Sequence, residues 1–154
     1  MEIRPGSDAD LPALGQRHFF TSRLARQRAG GGVLLVAWVD GGPVGDVYLD
    51  REPAAEPAIR RHLPGVPTLT HLEVLGPFQR RGIGTALLRM ARERSPEELR
   101  LFTFQRNLQA RAFYEKHGFT AVAFGLSPAP ELEPDVEYRW TPDSAMRVID
   151  ARPR

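Results

Sequence analysis

The stretch Val74-Leu75-Gly76-Pro77-Phe78-Gln79-Arg80-Arg81-Gly82-Ile83-Gly84-Thr85 decides how this chain is read. Before it, Thr68–Leu75 has the composition of a strand. After it, Ile83, Ala86, Leu87, Met90 and Ala91 follow the i, i+3, i+4, i+7, i+8 spacing of one helix face. A strand therefore runs through a short loop into an amphipathic helix. The first amides of a helix have no acceptor within it, and the helix dipole adds partial positive charge there. Glycines at 82 and 84 let an anion approach the backbone, and Arg80 and Arg81 add two permanent charges. These parts together suit a pyrophosphate.

Three known phosphate-binding patterns can be compared with it. A P-loop needs Gly-x-x-x-x-Gly-Lys-Ser/Thr, and neither the lysine nor the spacing is present. A dinucleotide-binding turn needs Gly-x-Gly-x-x-Gly, but position 87 is leucine. What remains is Gln-x-x-Gly-x-Gly, at Gln79, Gly82 and Gly84. By itself this pattern also fits a glycine-bearing helix start beside a solvated arginine pair.

Further out, the composition excludes several classes. With 154 residues, 42% hydrophobic and 26% charged, the chain suits one folded domain, expected over residues 1–141 with a loose tail over 142–154. The longest apolar run, Val33–Val39, falls far short of the ~20 residues of a membrane span, and no secretion signal is evident. The absence of cysteine excludes disulfides and thiolate nucleophiles, and a cytoplasmic location is expected. The pI of 9.5 stands beside a net charge of only +2, because 20 of the 21 basic residues are arginine. That excess is too small to indicate a nucleic-acid partner.

The remaining pattern alternates strands and helices. Residues 2–5 read as a strand, and Ser7 with Asp10 as a capping box. A helix should run through Leu11 and Leu14 towards Arg28, with a break near His18–Thr21, and end at Gly30-Gly31-Gly32. Val33–Val39 and Pro43–Asp50 form a hairpin about Asp40-Gly41-Gly42, with Asp46, Tyr48 and Asp50 on a polar face. Residues 51–67, with four prolines, read as loop with a helical turn around Ile59–His62. Leu99–Phe104, Phe119–Leu126 and Val136–Trp140 are strands, with a helix through Ala110, Phe113, Tyr114 and His117 that stops at Gly118. The sum is an α/β (α+β) domain with a mixed sheet of about seven strands and about four helices.

With Gln79, Gly82 and Gly84 in place, the chain resembles the GNAT superfamily of acetyl-CoA-dependent N-acetyltransferases. That family's signature is Gln/Arg-x-x-Gly-x-Gly/Ala between its fourth strand and third helix. Asn107, Ala110, Phe113, Tyr114, Gly118 and Phe119 match its second signature. Asp40 through Gly45 is similar to its hairpin between strands two and three, and Ile3 through Leu11 to its opening. The resemblance covers residues 3–126 in order and spacing. It implies the acyl-CoA N-acyltransferase fold, with the sheet splayed between strands four and five.

The resemblance also implies roles. Acetyl-CoA is the expected co-substrate, with its pyrophosphate on the amides of Gln79, Arg80, Arg81, Gly82, Ile83, Gly84 and Thr85. The main chain of Val74 would pair with the pantetheine and donate to the thioester carbonyl. Asn107 would bond the pantetheine, Phe113 would flank the acyl chain, and Tyr114 would protonate the leaving thiolate. The face Tyr114 shares with Ala110 and Phe113 equally suits a core tyrosine. The family's base often projects from strand four, an even number of residues before the valine. Here those positions are Leu72, Thr70 and Thr68, none ionisable, while His71 and Glu73 alternate onto the opposite face. Glu73 is the expected base and competes with a plain surface carboxylate; Asp46 and Tyr48 are reserves.

The expected reaction is attack by a primary amine, small-molecule or peptide, in a ternary complex. No cysteine and no Ser-His-Asp pattern supports an acyl-enzyme. The alternative is a non-catalytic acyl-CoA-binding or sensing module of the same fold. His18, His62 and His117 lack ligand-like spacing, so no metal is expected. Trp38 and Trp140 should pack in the sheet, Phe19 and Phe20 should be core or line the acceptor site, and Arg60 and Arg61 could attract an acidic acceptor. Dimers are frequent in the family, so a homodimer stands as an option; the sequence identifies neither acceptor nor oligomeric state.

Overall fold

A computed structural model describes residues 1–15, 17–51 and 66–143. The proline-rich loop with Arg60, Arg61 and His62, and the tail beyond residue 143, lie outside the described residues. The strands are β1 (Glu2–Pro5), β2 (Gly32–Val39), β3 (Gly42–Asp50), β4 (Thr68–Val74), β5 (Leu99–Phe104), β6 (Thr120–Leu126) and β7 (Pro134–Trp140). The helices are α1 (Leu11–Leu14), α2 (Arg17–Arg28), α3 (Ile83–Arg94) and α4 (Leu108–Lys116). Among the described residues, seven strands in a mixed sheet and four α-helices agree with the expected fold class.

The chain divides into two compact units, Met1–Glu52 with Leu69–Arg94, and Pro53–Thr68 with Ser95–Arg154. In the first, the strand order is β1-β2-β3-β4, and the pairs β1–β2 and β2–β3 are antiparallel. Asp40 (φ +50°) and Gly41 (φ +80°) make the two-residue turn between β2 and β3, where successive positive φ values match the strand twist. One face of this sheet packs against α2, through Phe20 and Leu24 on Leu34, Val36, Trp38 and Tyr48. Leu35, Ala37, Val47 and Leu49 alternate onto the other face and are buried there. α3 lies on that second face, with Leu87 beside Gly45, and its buried stripe is Ile83, Leu87, Leu88 and Ala91.

One local expectation needs correction. The break in the first helical region falls at Gly15 (φ +80°), between α1 and α2, and not near His18–Thr21. Glycine adopts a left-handed φ without the clash that a side chain brings, so it sets the break. The polar face of β3 carries Asp46, Tyr48 and Asp50 as expected, and all three are buried. Asp50, with no exposed surface, accepts from Arg26 of α2 at 2.7 Å, which compensates its charge. Gln27 ties the same helix down by donating to the Gly6 carbonyl at 2.9 Å and accepting from the Leu34 amide at 2.8 Å. The expected capping box is present: the Asp10 carboxylate accepts from the Ser7 amide at 2.9 Å and also binds Arg4.

In the second unit the strand order is β5-β7-β6, with both pairs antiparallel. Thr68, the first residue of β4, belongs to this unit and pairs in parallel with Arg100 of β5. That is the single β4–β5 pair among the described residues. α4 starts at Asn107, whose Oδ1 accepts from the Ala110 amide at 3.1 Å, and stops before Gly118 (φ +90°). Trp38 and Trp140 are buried as expected.

Candidate functional site

The decisive stretch folds as a tight corner in the first unit. After β4, a one-turn 3-10 helix spans Gly76–Phe78, closed by bonds from the Phe78 amide to the Leu75 carbonyl and from the Gln79 amide to the Gly76 carbonyl. Arg80 (φ +64°) and Gly82 (φ +82°) then adopt left-handed backbone before α3 begins. Such turns build anion-binding concavities from main-chain N–H groups. The Ala86 amide makes the i→i−4 bond to the Gly82 carbonyl, at 3.0 Å. The amides of Ile83 and Gly84 lie ahead of it, at the positive end of the helix. A Cβ built on Gly82 would meet nothing within 4 Å, so the corner is open. Arg80 and Arg81 are exposed, with the Arg81 guanidinium 5.4 Å from the centre of the Phe78 ring. An open, cationic turn of this kind fits a pyrophosphate.

Gln79 has a role the pattern alone does not disclose. Its side-chain Nε2 donates to the Val74 carbonyl at 2.9 Å, fastening the end of β4 to the loop. The Leu75 amide donates to the Val44 carbonyl at 2.9 Å and fixes that end to β3. Gly45 permits this closeness, since a Cβ there would stand 2.9 Å from the Glu73 carbonyl.

On the helical side of β3 and β4 lies a cavity of about 180 Å³. Leu14, Phe20 and Leu75 supply apolar wall, and Asp46, His71 and Glu73 supply polar wall. His71 Nδ1 is 3.2 Å from Asp46 Oδ2, and His71 Nε2 is 2.8 Å from Glu73 Oε2. Glu73 and the reserve Asp46 are therefore brought together, with His71 between them. The other reserve, Tyr48, is fully buried in the core under α2. Phe20 is both core and cavity wall, and Phe19 packs against His71 at 4.5 Å.

His71 is the residue that sequence reading missed as a functional group. Its signal was His-x-Glu on alternate strand positions beside the residue expected at the thioester. Asp46, 25 positions upstream, carried no local cue. The hydrogen bond that Asp46 accepts holds the His71 pKa above its ordinary value, reinforced by the Asp46 and Glu73 charges and opposed by burial and Arg23. Asp46, His71 and Glu73 are also a group whose side chains could reach one ion, against the expectation that no such cluster exists. The two ring nitrogens, however, turn to different carboxylates, which is the bonding of an imidazolium and not of ligands converging on a metal.

Asn107, Phe113 and Tyr114 belong to the second unit. The Asn107 cap uses Oδ1 and so leaves its amide donors unspent by the cap. Tyr114 sits among the rings of Phe113, Phe119 and Tyr138, at 5.3, 5.6 and 6.3 Å. Burial alone pushes its phenol up to about 12. Tyr138 donates to Glu115 and accepts from Arg111 at 3.2 Å.

A family model described as an acetyltransferase (GNAT) domain matches residues 30–121, more than half of the chain. The chain belongs to the GNAT acetyltransferase family. Membership supports an acyltransferase activity. Solved structures of this fold include ribosomal-protein-alanine N-acetyltransferase from Brucella melitensis, 21% identical over 92% of this chain and 99% of that one, with a TM-score of 0.67. PaiA N-acetyltransferase from Thermoplasma acidophilum, in complex with coenzyme A, is 17% identical over 91% and 98%, at 0.68. A GNAT acetyltransferase from Elizabethkingia anophelis with acetyl-CoA bound is 18% identical over 91% and 97%, at 0.62. At these identities the likeness concerns the fold. A search among curated proteins finds no match. No helix among the described residues is long and apolar enough to cross a membrane.

Proposed function

We propose that this GNAT protein transfers the acetyl group of acetyl-CoA to a primary amine by direct attack in a ternary complex. The observation that carries the reading is the open turn at Arg80–Gly82, with the Ile83 and Gly84 amides at the start of α3. Those amides, with Arg80, Arg81 and the turn, would hold the pyrophosphate. Coenzyme A and acetyl-CoA in fold neighbours support the same ligand class. Asn107 and Phe113 would bind the pantetheine and flank the acyl chain.

The chain's own groups then divide the work. The Val74 amide donates to the thioester carbonyl as negative charge develops there, and Gln79 keeps that strand end in place. Glu73 takes one proton from the arriving ammonium. The neutral nitrogen forms its bond to the carbonyl carbon, and the carbon–sulfur bond breaks. The nitrogen sheds a second proton, and the departing thiolate gains one from Tyr114, which the second proton restores. With no cysteine in the chain, nothing favours a covalent intermediate on a thiol. Neighbours named for ribosomal-protein alanine keep a peptide amine within the acceptor range.

Calorimetric titration with acetyl-CoA, followed by a thiol-release assay over a panel of amines, tests this. Saturable binding and amine-dependent thiol release are expected. Binding with no release on any amine would instead assign the chain to the non-catalytic module, and no binding would remove both readings.

A further inference from the structure

We infer that the cavity between β3, β4 and the first two helices takes a small aliphatic amine as its ammonium ion, with no carboxylate close to the nitrogen. This rests on the acetyltransferase reading above and narrows its acceptor. Glu73 and Leu75, the two chain neighbours of Val74, both line the cavity, so its occupant lies beside the residue assigned to the thioester carbonyl. A volume of about 180 Å³ equals the liquid share of about six waters, enough for a short alkyl chain and its ammonium.

The walls specify the chemistry of the two ends. Leu14, Phe20 and Leu75 offer apolar surface to the chain. Asp46 and Glu73 each present one oxygen to His71, through Oδ2 and Oε2, and keep a second oxygen as acceptor. An ammonium has three donors and no acceptor, so it complements them. With His71 protonated, the polar wall carries two negative charges against one positive, a net of −1. Arg23 is stacked on Phe19 and Tyr48, 3.9 and 5.0 Å from the ring centres, and is not part of the lining. A carboxylate on the acceptor would meet like charge there, with no lining cation besides the already bonded His71 among the described residues. Free amino acids are disfavoured on this ground, whatever the fit of their amine.

Matched pairs test the inference: propylamine against β-alanine, and butylamine against γ-aminobutyrate. In the thiol-release assay, kcat/KM for each alkylamine should exceed that of its carboxylated partner by at least about tenfold. An NMR titration gives a readout independent of turnover. With coenzyme A bound, butylamine should shift the His71 ring signals, identified by their loss in His71→Gln, and γ-aminobutyrate should not. Failure to bind acetyl-CoA overturns the acetyltransferase reading itself. Binding of acetyl-CoA with equal or better use of the carboxylated members overturns only the inference. So does a clear preference for an alanine-led peptide amide over both alkylamines, or the absence of any turnover or His71 shift with alkylamines.

Discussion

His71 holds a φ of +56° in the middle of β4, a conformation that costs a residue with a side chain about 1–2 kcal/mol. Its ring gains a hydrogen bond to Asp46 and an ion pair with Glu73 in return. Because its folded pKa lies above the unfolded value, the protonated ring stabilises the fold fully below the unfolded pKa. That contribution is lost as pH rises through the folded pKa. The urea midpoint of the parent protein should therefore exceed that of His71→Gln most at slightly acidic pH, and the gap should narrow on going alkaline. A gap that does not change with pH would show that the ring's charge does not contribute. Tyr114 makes a separate prediction. A phenol pushed to about 12 keeps its proton at neutral pH, as a proton donor must. Tyr114→Phe keeps the ring packing, so kcat should fall about 100-fold with acetyl-CoA affinity nearly unchanged, as read by kinetics beside calorimetry. Turnover equal to the parent's, with chemistry rate-limiting, would leave Tyr114 a core tyrosine.

At the scale of elements, the strand–turn–helix corner depends on backbone conformation more than on space. Gly76 and Gly82 both have open surroundings, but only Gly82 has a left-handed φ. Gly82→Ala should thus strain the turn by about 1–2 kcal/mol and weaken acetyl-CoA binding by about tenfold. Gly76→Ala should change neither thermal stability nor the titration appreciably. Equal effects of the two substitutions would refute this account. Most elements were legible for similar local reasons. Asp40-Gly41 marks a hairpin because few residue pairs accept two positive φ values in succession. The stripe from Ile83 to Ala91 marks α3 because its spacing matches the helical period. The break in the first helical region was misplaced because Gly15 lies in a stretch with little apolar periodicity to locate it.

Across the whole molecule, burial on both faces of β2 and β3 is what composition could not disclose. Asp46, Tyr48 and Asp50 alternate as a polar face, yet all three are buried, with Tyr48 packed under α2 and Arg26 meeting the charge of Asp50. Which face a helix covers depends on contacts between residues far apart in sequence, and no local period encodes that choice. The sequence by itself determined the family, the order of strands and helices, and the open helix start at Gly82, because each of these is written in neighbouring residues. The tertiary structure alone decided that Asp46 faces His71 and Glu73 across two strands, and that Gln79 grips the end of β4. Such meetings are set by strand register and by one left-handed residue in β4, and both exist only once the chain has folded.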